Sequence, residues 1–217
     1  MAEVQSHGIK FEKELILRIT GKTKKEYQKL LKGQYSASMD IAKNVFSEHD
    51  YSIKVTGSDS IGCADLIRFM THCRTSDFIM VVGCWTYNDT ETLKIYNQIY
   101  EFYFSPEHVS TLFANLNLEN IAPFVEYVKG IPPGKEHQLL NQDLWKEKRE
   151  NLYEEYGKGL ISIDAKINSL KQRRVQCSLK ISDLTSSNIP FNIYTTEYKG
   201  LPLPYVQKSK PRKIKKS

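Results

Sequence analysis

Glu12, Asp40, Ser52 and Lys54 are the residues whose types and order suggest chemistry. Hydrolysing a phosphodiester needs a positioned water, neutralisation of charge on the pentavalent phosphorus and help for the leaving oxygen. A divalent cation held by carboxylates, with a lysine nearby, supplies all three. The chain offers two acids and a lysine in that order, and Ser52 and Lys54, two positions apart, fall on one face of a strand.

The elements that must position these groups follow from the apolar spacing. Ile9, Phe11, Leu15, Ile16 and Ile19 recur at near-helical intervals, which predicts an opening helix carrying Glu12 and interrupted near Gly21, then a lysine-rich helical stretch over 24–31 that ends at Gly33. Residues 51–56, YSIKVT, read as a short strand ending at Gly57, so Asp40 and Lys54 flank one turn region. Residues 64–70, 78–87 and 93–104 are rich in Ile, Val, Phe and Tyr and are separated by polar turns at 71–77 and 88–91, which suggests a mostly antiparallel sheet. Pro106 opens a helical region to about Leu116, a short helix is expected over 122–127, and Pro132, Pro133 and Gly134 mark a break. A charged helical stretch over 138–156 ends at Gly157 and Gly159, and 175–181, VQCSLKI, reads as a further strand.

Four stretches, GIKFEKELI, YSASMDIAK, YSIKVTGSDSIGCADLIRF and FIMVVGCWTYND, resemble type II restriction endonucleases of the PD-(D/E)XK nuclease superfamily, and together they span roughly the first half of the chain. The resemblance implies a restriction-endonuclease-like α/β (α+β) fold, a central mixed sheet flanked by helices, with Mg²⁺ as cofactor and cleavage of double-stranded DNA at a short defined site. By the same resemblance Asp40 is the metal-binding aspartate, with the Ile53 carbonyl as a further ligand. Lys54 orients or activates the attacking water, and Glu12 binds the metal through a water or positions the lysine. The superfamily usually has Asp or Glu two residues before the lysine, whereas this chain has Ser52, a poor Mg²⁺ ligand. Glu12, Glu48 and Asp65 are the acids available to replace it. A second register makes Asp65 of GCADLIRF the metal aspartate, but that register needs a lysine on the next strand and residues 78–87 contain none.

Each residue also has a plainer role. Asp40 suits the N-cap of a helix over 41–46, Lys54 suits the solvent face of a strand, and Glu12 and Glu14 alternate with Lys10 and Lys13 as a solvated helix face does. Thr56, Gly57, Ser58 and Asp59 compose a turn whose amides and hydroxyls also suit a phosphate.

The net charge is +6, from 31 Lys and Arg against 25 Asp and Glu, and it is unevenly placed. Six basic residues and no acid lie between Lys208 and Lys216, and Lys171, Arg173 and Arg174 precede the late strand, so a polyanionic partner is favoured. Lys171, Gln172, Arg173, Arg174, Gln176 and Lys180, with Ser58, are the expected DNA contacts, since Arg pairs with guanine and Gln with adenine in the major groove. Arg174, Gln176 and Lys180 share one strand face and Val175 lies on the other. The 13 Tyr and 9 Phe sit mostly within the β-rich segments, as core residues do.

Four scattered cysteines without a CxxC pair read as reduced and intracellular. There is no signal-like apolar stretch at the amino terminus and no run of transmembrane length, so a soluble cytoplasmic protein is expected. One endonuclease domain is expected over 1–207, with a catalytic part near 1–130 and a DNA-contacting part near 131–207, followed by a basic tail at 208–217. The resemblance and the two-fold symmetry of palindromic sites imply a homodimer with a cognate DNA methyltransferase as genetic partner.

Overall fold

A computed structural model describes residues 3–30, 39–43, 47–132, 134–169 and 172–209. Along the chain come α1 (Glu3–Thr20), α2 (Lys24–Leu30), β1 (Asp50–Thr56), β2 (Ser60–Asp65), α3 (Leu66–Thr75), β3 (Phe78–Asn88) and β4 (Leu93–Phe104). A 3₁₀ turn (Pro106–His108) leads into α4 (Val109–Phe113), α5 (Leu118–Gly130), α6 (Lys135–Leu140) and α7 (Gln142–Tyr156). The remainder is β5 (Ser162–Ser169), β6 (Gln172–Lys180), α8 (Ile181–Thr185), β7 (Phe191–Tyr194), β8 (Glu197–Tyr198), β9 (Leu201–Pro202) and β10 (Tyr205–Lys208).

The fold is mixed α/β, and the elements gather into two compact units. Unit 1 comprises Met1–Asp59, Asp77–Phe104 and Pro190–Ser217, and unit 2 comprises Ser60–Ser76 and Ser105–Ile189. Both units therefore draw on either side of position 130, near which the sequence suggested dividing a catalytic part from a DNA-contacting part.

Unit 1 is built on a five-stranded mixed sheet in the order β1-β3-β4-β10, with β7 also paired to β4. β1 and β3 run parallel, with Ile53 opposite Val81, while β3 and β4 are antiparallel, with Val81 opposite Glu101. A parallel pair requires a crossover, supplied here by residues 60–76 of unit 2. Tyr51, Ile53, Ile79, Val81, Tyr96 and Ile99 form one buried face with Phe11, Leu15 and Ile16 of α1 and Tyr27 of α2. The helical spacing of 11, 15 and 16 accounts for this, because it sets one stripe of α1 on the sheet. Phe11 lies flat enough to stack on Tyr96 at 4.6 Å between ring centroids. It approaches Gly83 so closely that a Cβ there would sit 2.5 Å from the ring.

A buried carboxylate ties the last strands to this sheet. Glu101 of β4 accepts hydrogen bonds from the hydroxyls of Tyr103 (2.8 Å), Tyr194 of β7 (2.8 Å) and Tyr198 of β8 (2.9 Å). Burial foremost, then the nearby carboxylate, pushes the Tyr103 and Tyr198 hydroxyls well above their ordinary pKa.

Unit 2 contains the antiparallel sheet β2-β6-β5. Ile61, Cys63, Ile163, Ala165, Val175, Cys177 and Leu179 are buried, and their strand neighbours are more exposed, so the sheet has one apolar and one polar face. All four cysteines are free, and Cys63, Cys73 and Cys177 are buried.

Several segments differ from their expected form. Residues 64–70 read as a strand, yet β2 ends at Asp65 and α3 begins at Leu66, running through the expected turn at 71–77. Leu66, Ile67, Phe69 and Met70 fall at i, i+1, i+3 and i+4, the helical period, and Asp65 caps the helix they begin. β5, like β7 to β10, has no counterpart among the expected strands, although Ile163, Ala165 and Ile167 alternate with polar residues as a half-buried strand requires. Lys208, the first residue of the expected basic tail, belongs to β10, and 210–217 lie outside the described residues.

Candidate active site at the edge of the mixed sheet

β1 occupies the edge of the unit 1 sheet, and residues 39–43 run along its open side. The Asp40 and Ile41 amides donate to the Tyr51 carbonyl at 2.8 and 3.1 Å, and the Tyr51 amide returns to the Ile41 carbonyl at 2.8 Å. The Lys43 amide donates to the Asp50 carboxylate (2.6 Å), and the Ala42 amide donates to the Tyr27 hydroxyl (2.6 Å). Asp40 is thus fixed by backbone pairing on one side and by α2 on the other.

Its carboxylate turns back to the strand, where Oδ2 accepts from the Ile53 amide at 2.6 Å and lies 4.0 Å from Lys54 Nζ. The N-cap role that the sequence also allowed for Asp40 gives way to this contact among the described residues. Successive strand residues point their N–H and C=O groups to alternate edges. The Ile53 carbonyl therefore faces the same open edge as the amide that holds Asp40.

Glu12 reaches this cluster from α1. Its carboxylate is held by the Lys24 ammonium, and it lies close enough to Asp40 to feel that charge. Burial raises the Glu12 pKa, Lys24 opposes the shift, and the Asp40 carboxylate adds to it. Lys24 is not among the residues the sequence points to; the run KTKKEY carries the only signal, in a lysine twelve residues beyond Glu12 at the start of the next helix.

Ser52 is buried, at 4% exposure, on the strand face it shares with Lys54. Ser58 closes the following turn, its amide donating to Thr56 Oγ1 at 3.1 Å. Asp65, the alternative metal aspartate, sits in unit 2 as the N-cap of α3, accepting the Arg68 amide at 3.0 Å. Glu48 is exposed in a bend before β1.

Hard oxygen donors of this kind suit Mg²⁺, which keeps several waters and takes one or two carboxylates. Two neighbouring carboxylates, one with its pKa raised by burial and then by the other's charge, with a main-chain carbonyl on the same edge, fit such an ion. Among the described residues no group of three or more His, Cys, Asp or Glu side chains converges as a closed metal cage. The serine at 52 is the gap.

The expected DNA-contacting residues separate by strand face. Val175, Cys177 and Leu179 point into the unit 2 core, while Arg174, Gln176, Ser178 and Lys180 of β6 lie on the polar face. Register sets Lys166 opposite Arg174, Asp164 opposite Gln176 and Ser162 opposite Ser178. Ser60, Gly62, Asp164, Gln176 and Ser178 line a shallow polar hollow there. Arg173 turns the other way and donates to the Lys129 carbonyl at 3.1 Å, at the C-terminal end of α5, where a cation complements the helix dipole. Gln172 begins β6, and Lys171 lies outside the described residues.

No helix among the described residues is long and apolar enough to cross a membrane. No family model, no curated protein and no solved structure matches the chain.

Proposed function

We propose that the chain is a Mg²⁺-dependent, site-specific double-strand DNA endonuclease of the restriction-endonuclease type, acting as a homodimer beside a cognate DNA methyltransferase. The observation that carries this reading is the convergence of Asp40, Lys54 and Glu12 at one sheet edge, from three segments distant in sequence. Two of these residues have ready uses elsewhere, in a helix cap and on a solvent face, and their meeting is what a phosphodiester hydrolase needs.

Asp40 and Glu12, with the Ile53 carbonyl, would hold Mg²⁺, which supplies Lewis-acid activation of water and charge neutralisation at phosphorus. Asp40 keeps its orientation through the Ile53 amide. Lys54 holds the attacking water by hydrogen bonding, and its ammonium offsets negative charge gathering on the phosphoryl oxygens. Lys24 holds the Glu12 carboxylate and opposes the rise in its pKa that burial causes. The polar face of β2-β6-β5, with Arg174, Gln176 and Lys180, offers groups that pair with base edges and phosphates.

A second reading, a non-catalytic nucleic-acid-binding protein, is favoured by one observation: Ser52 stands where the third acid is expected. Incubating the protein with unmethylated phage DNA, with and without Mg²⁺, beside Asp40→Ala and Lys54→Ala separates the two. Discrete Mg²⁺-dependent fragments that both substitutions abolish support the endonuclease. Retained binding without cleavage of any DNA supports the second reading.

A further inference from the structure

Residues 8–30 carry seven basic side chains against three acids, and their charge is not scattered around the helices. Lys10, Lys13, Glu14 and Leu17 follow one another at three-, one- and three-residue steps, which places them on a single stripe of α1. With Thr23, Lys24 and Lys25 at the start of α2, and Tyr205 of β10, they line an open groove of about 480 Å³ within unit 1.

Local contacts occupy the three acids in or beside this groove, Glu26 accepting from the Thr23 amide and hydroxyl at 2.8 and 2.7 Å. Glu14 accepts Arg18 Nε at 3.0 Å, and Glu12 is held by Lys24. Lys10, Lys13 and Lys25 have no acidic partner among the described residues. A solvated helix face ordinarily relieves like charges with acids one turn away. Here the lysines line a shared concavity instead, which an anion would suit.

We propose that this α1–α2 groove is a binding site for the phosphate backbone of duplex DNA and leads a strand to the Glu12–Asp40 edge. Three features select a nucleic-acid backbone over a small anion. The positive groups are spread along the groove. Lys10 and Lys13 are separated by a rise of about 4.5 Å, comparable to the roughly 3.4 Å of duplex axis per phosphate on one strand. Tyr205 and Leu17 add an apolar floor and one hydroxyl, as sugar and phosphate contacts require. Lys24 joins the two sites, because it both lines the groove and holds Glu12.

This inference rests on the endonuclease reading for its substrate, and its test separates the two. Binding of a fluorescent mixed-sequence DNA duplex is measured by anisotropy in EDTA across a salt series, using the full chain, a Lys10→Ala/Lys13→Ala/Lys25→Ala variant, the matching arginine variant, and a control with Lys146, Lys148 and Lys158 changed to Ala. Circular dichroism and melting verify that each variant is folded. The expected result is a loss of affinity of about 10-fold or more in the groove alanine variant. Its log K against log salt slope is expected to be shallower by about 0.9 for each phosphate that is no longer neutralised, and the arginine variant binds as the wild type does. Unchanged binding and slope in the folded groove variant, an equal loss in the control, or binding of polyglutamate in preference to duplex overturns the groove. Cleavage is scored separately: a groove effect on binding without Mg²⁺-dependent cleavage in the wild type sinks the endonuclease reading alone, and cleavage with an inert groove sinks the groove alone.

Discussion

The Ile53 amide donates to the Asp40 carboxylate over 2.6 Å, so the backbone of an edge strand holds an acid thirteen residues upstream in line with Lys54. The bond carries charge, which makes it stronger than a neutral one, and it orients Oδ2 toward the strand. Asp40→Asn keeps a carbonyl acceptor for Ile53 and removes the charge. It is expected to leave the melting temperature within a few degrees of wild type while abolishing Mg²⁺-dependent cleavage. A large fall in stability with activity retained would assign Asp40 to scaffolding.

Lys54→Ala should lower kcat by about 100-fold or more, the scale of losing one donor that stabilises charge in the transition state. Ser52→Ala should leave it within about threefold, because the buried hydroxyl is a weak ligand for Mg²⁺. Single-turnover cleavage of the same duplex by both variants compares the two positions directly. A deeper defect in Ser52→Ala than in Lys54→Ala would make the serine, and not the lysine, the group that acts on the water.

Glu12 makes stability depend on pH. Its folded pKa is raised, first by burial, so the folded state holds this proton more tightly than the unfolded chain does. The associated stability is fully present below the unfolded value of 4.5 and is lost as pH rises through the folded pKa. Glu12→Gln is therefore expected to melt higher than wild type near pH 7, with the difference shrinking toward pH 4. Calorimetry across that range in EDTA checks the sign, and a gap that widens on acidification would contradict it. Added Mg²⁺ should raise the wild-type melting temperature at neutral pH and leave Glu12→Gln less affected.

Gly83→Ala places a Cβ 2.5 Å from the Phe11 ring. Overpacking of this kind costs about 1–3 kcal/mol, and the ring can move only by disturbing its stack on Tyr96. Because Phe11 precedes Glu12, the substitution should weaken cleavage as well as stability, read from urea denaturation and kcat on one preparation.

Tyr198→Phe removes one of the three hydroxyls that donate to buried Glu101. A hydrogen bond to a charged group contributes about 1.5–3 kcal/mol, so urea denaturation should show a loss in that range. The cleavage rate of the folded variant should be unchanged, since Glu101 lies outside the Asp40 edge cluster.

How far the site is legible in the sequence depends on which signals are local. The strand over 51–56 and the helix carrying Glu12 follow from side-chain period, and so does the pairing of Ser52 with Lys54 on one face. That Asp40 turns to the Ile53 amide is a tertiary fact with no sequence period behind it. Lys24 is hidden for the same reason: one lysine among several becomes distinctive only when α2 folds back and brings it to Glu12. In β6 the alternation of Val175, Cys177 and Leu179 with polar residues makes the exposed row readable, yet Arg173 looks like its neighbours until the end of α5 claims it. The stretch after Gly62 misleads because its Ile and Phe content suggests a strand while the spacing of Leu66, Ile67, Phe69 and Met70 is helical, and Ala64, with φ of 69°, bends the strand just before the cap.

The route of the chain imposes a timetable on the newborn protein. Its path leaves the first unit after residue 59, returns at 77, leaves again after 104 and comes back only at 190. At about 5–20 residues per second, roughly 5–20 s of translation separate the end of β4 from the arrival of β10. Throughout that interval the far edge of β4 offers unpaired amides and carbonyls to any neighbouring chain, and Glu101 lacks two of its three tyrosines. The ribosome spends those seconds making residues 105–189, which complete the other unit. Chains cut short before residue 190 should therefore be sticky and inert together, since the strands that seal β4 are made only after residues 105–189.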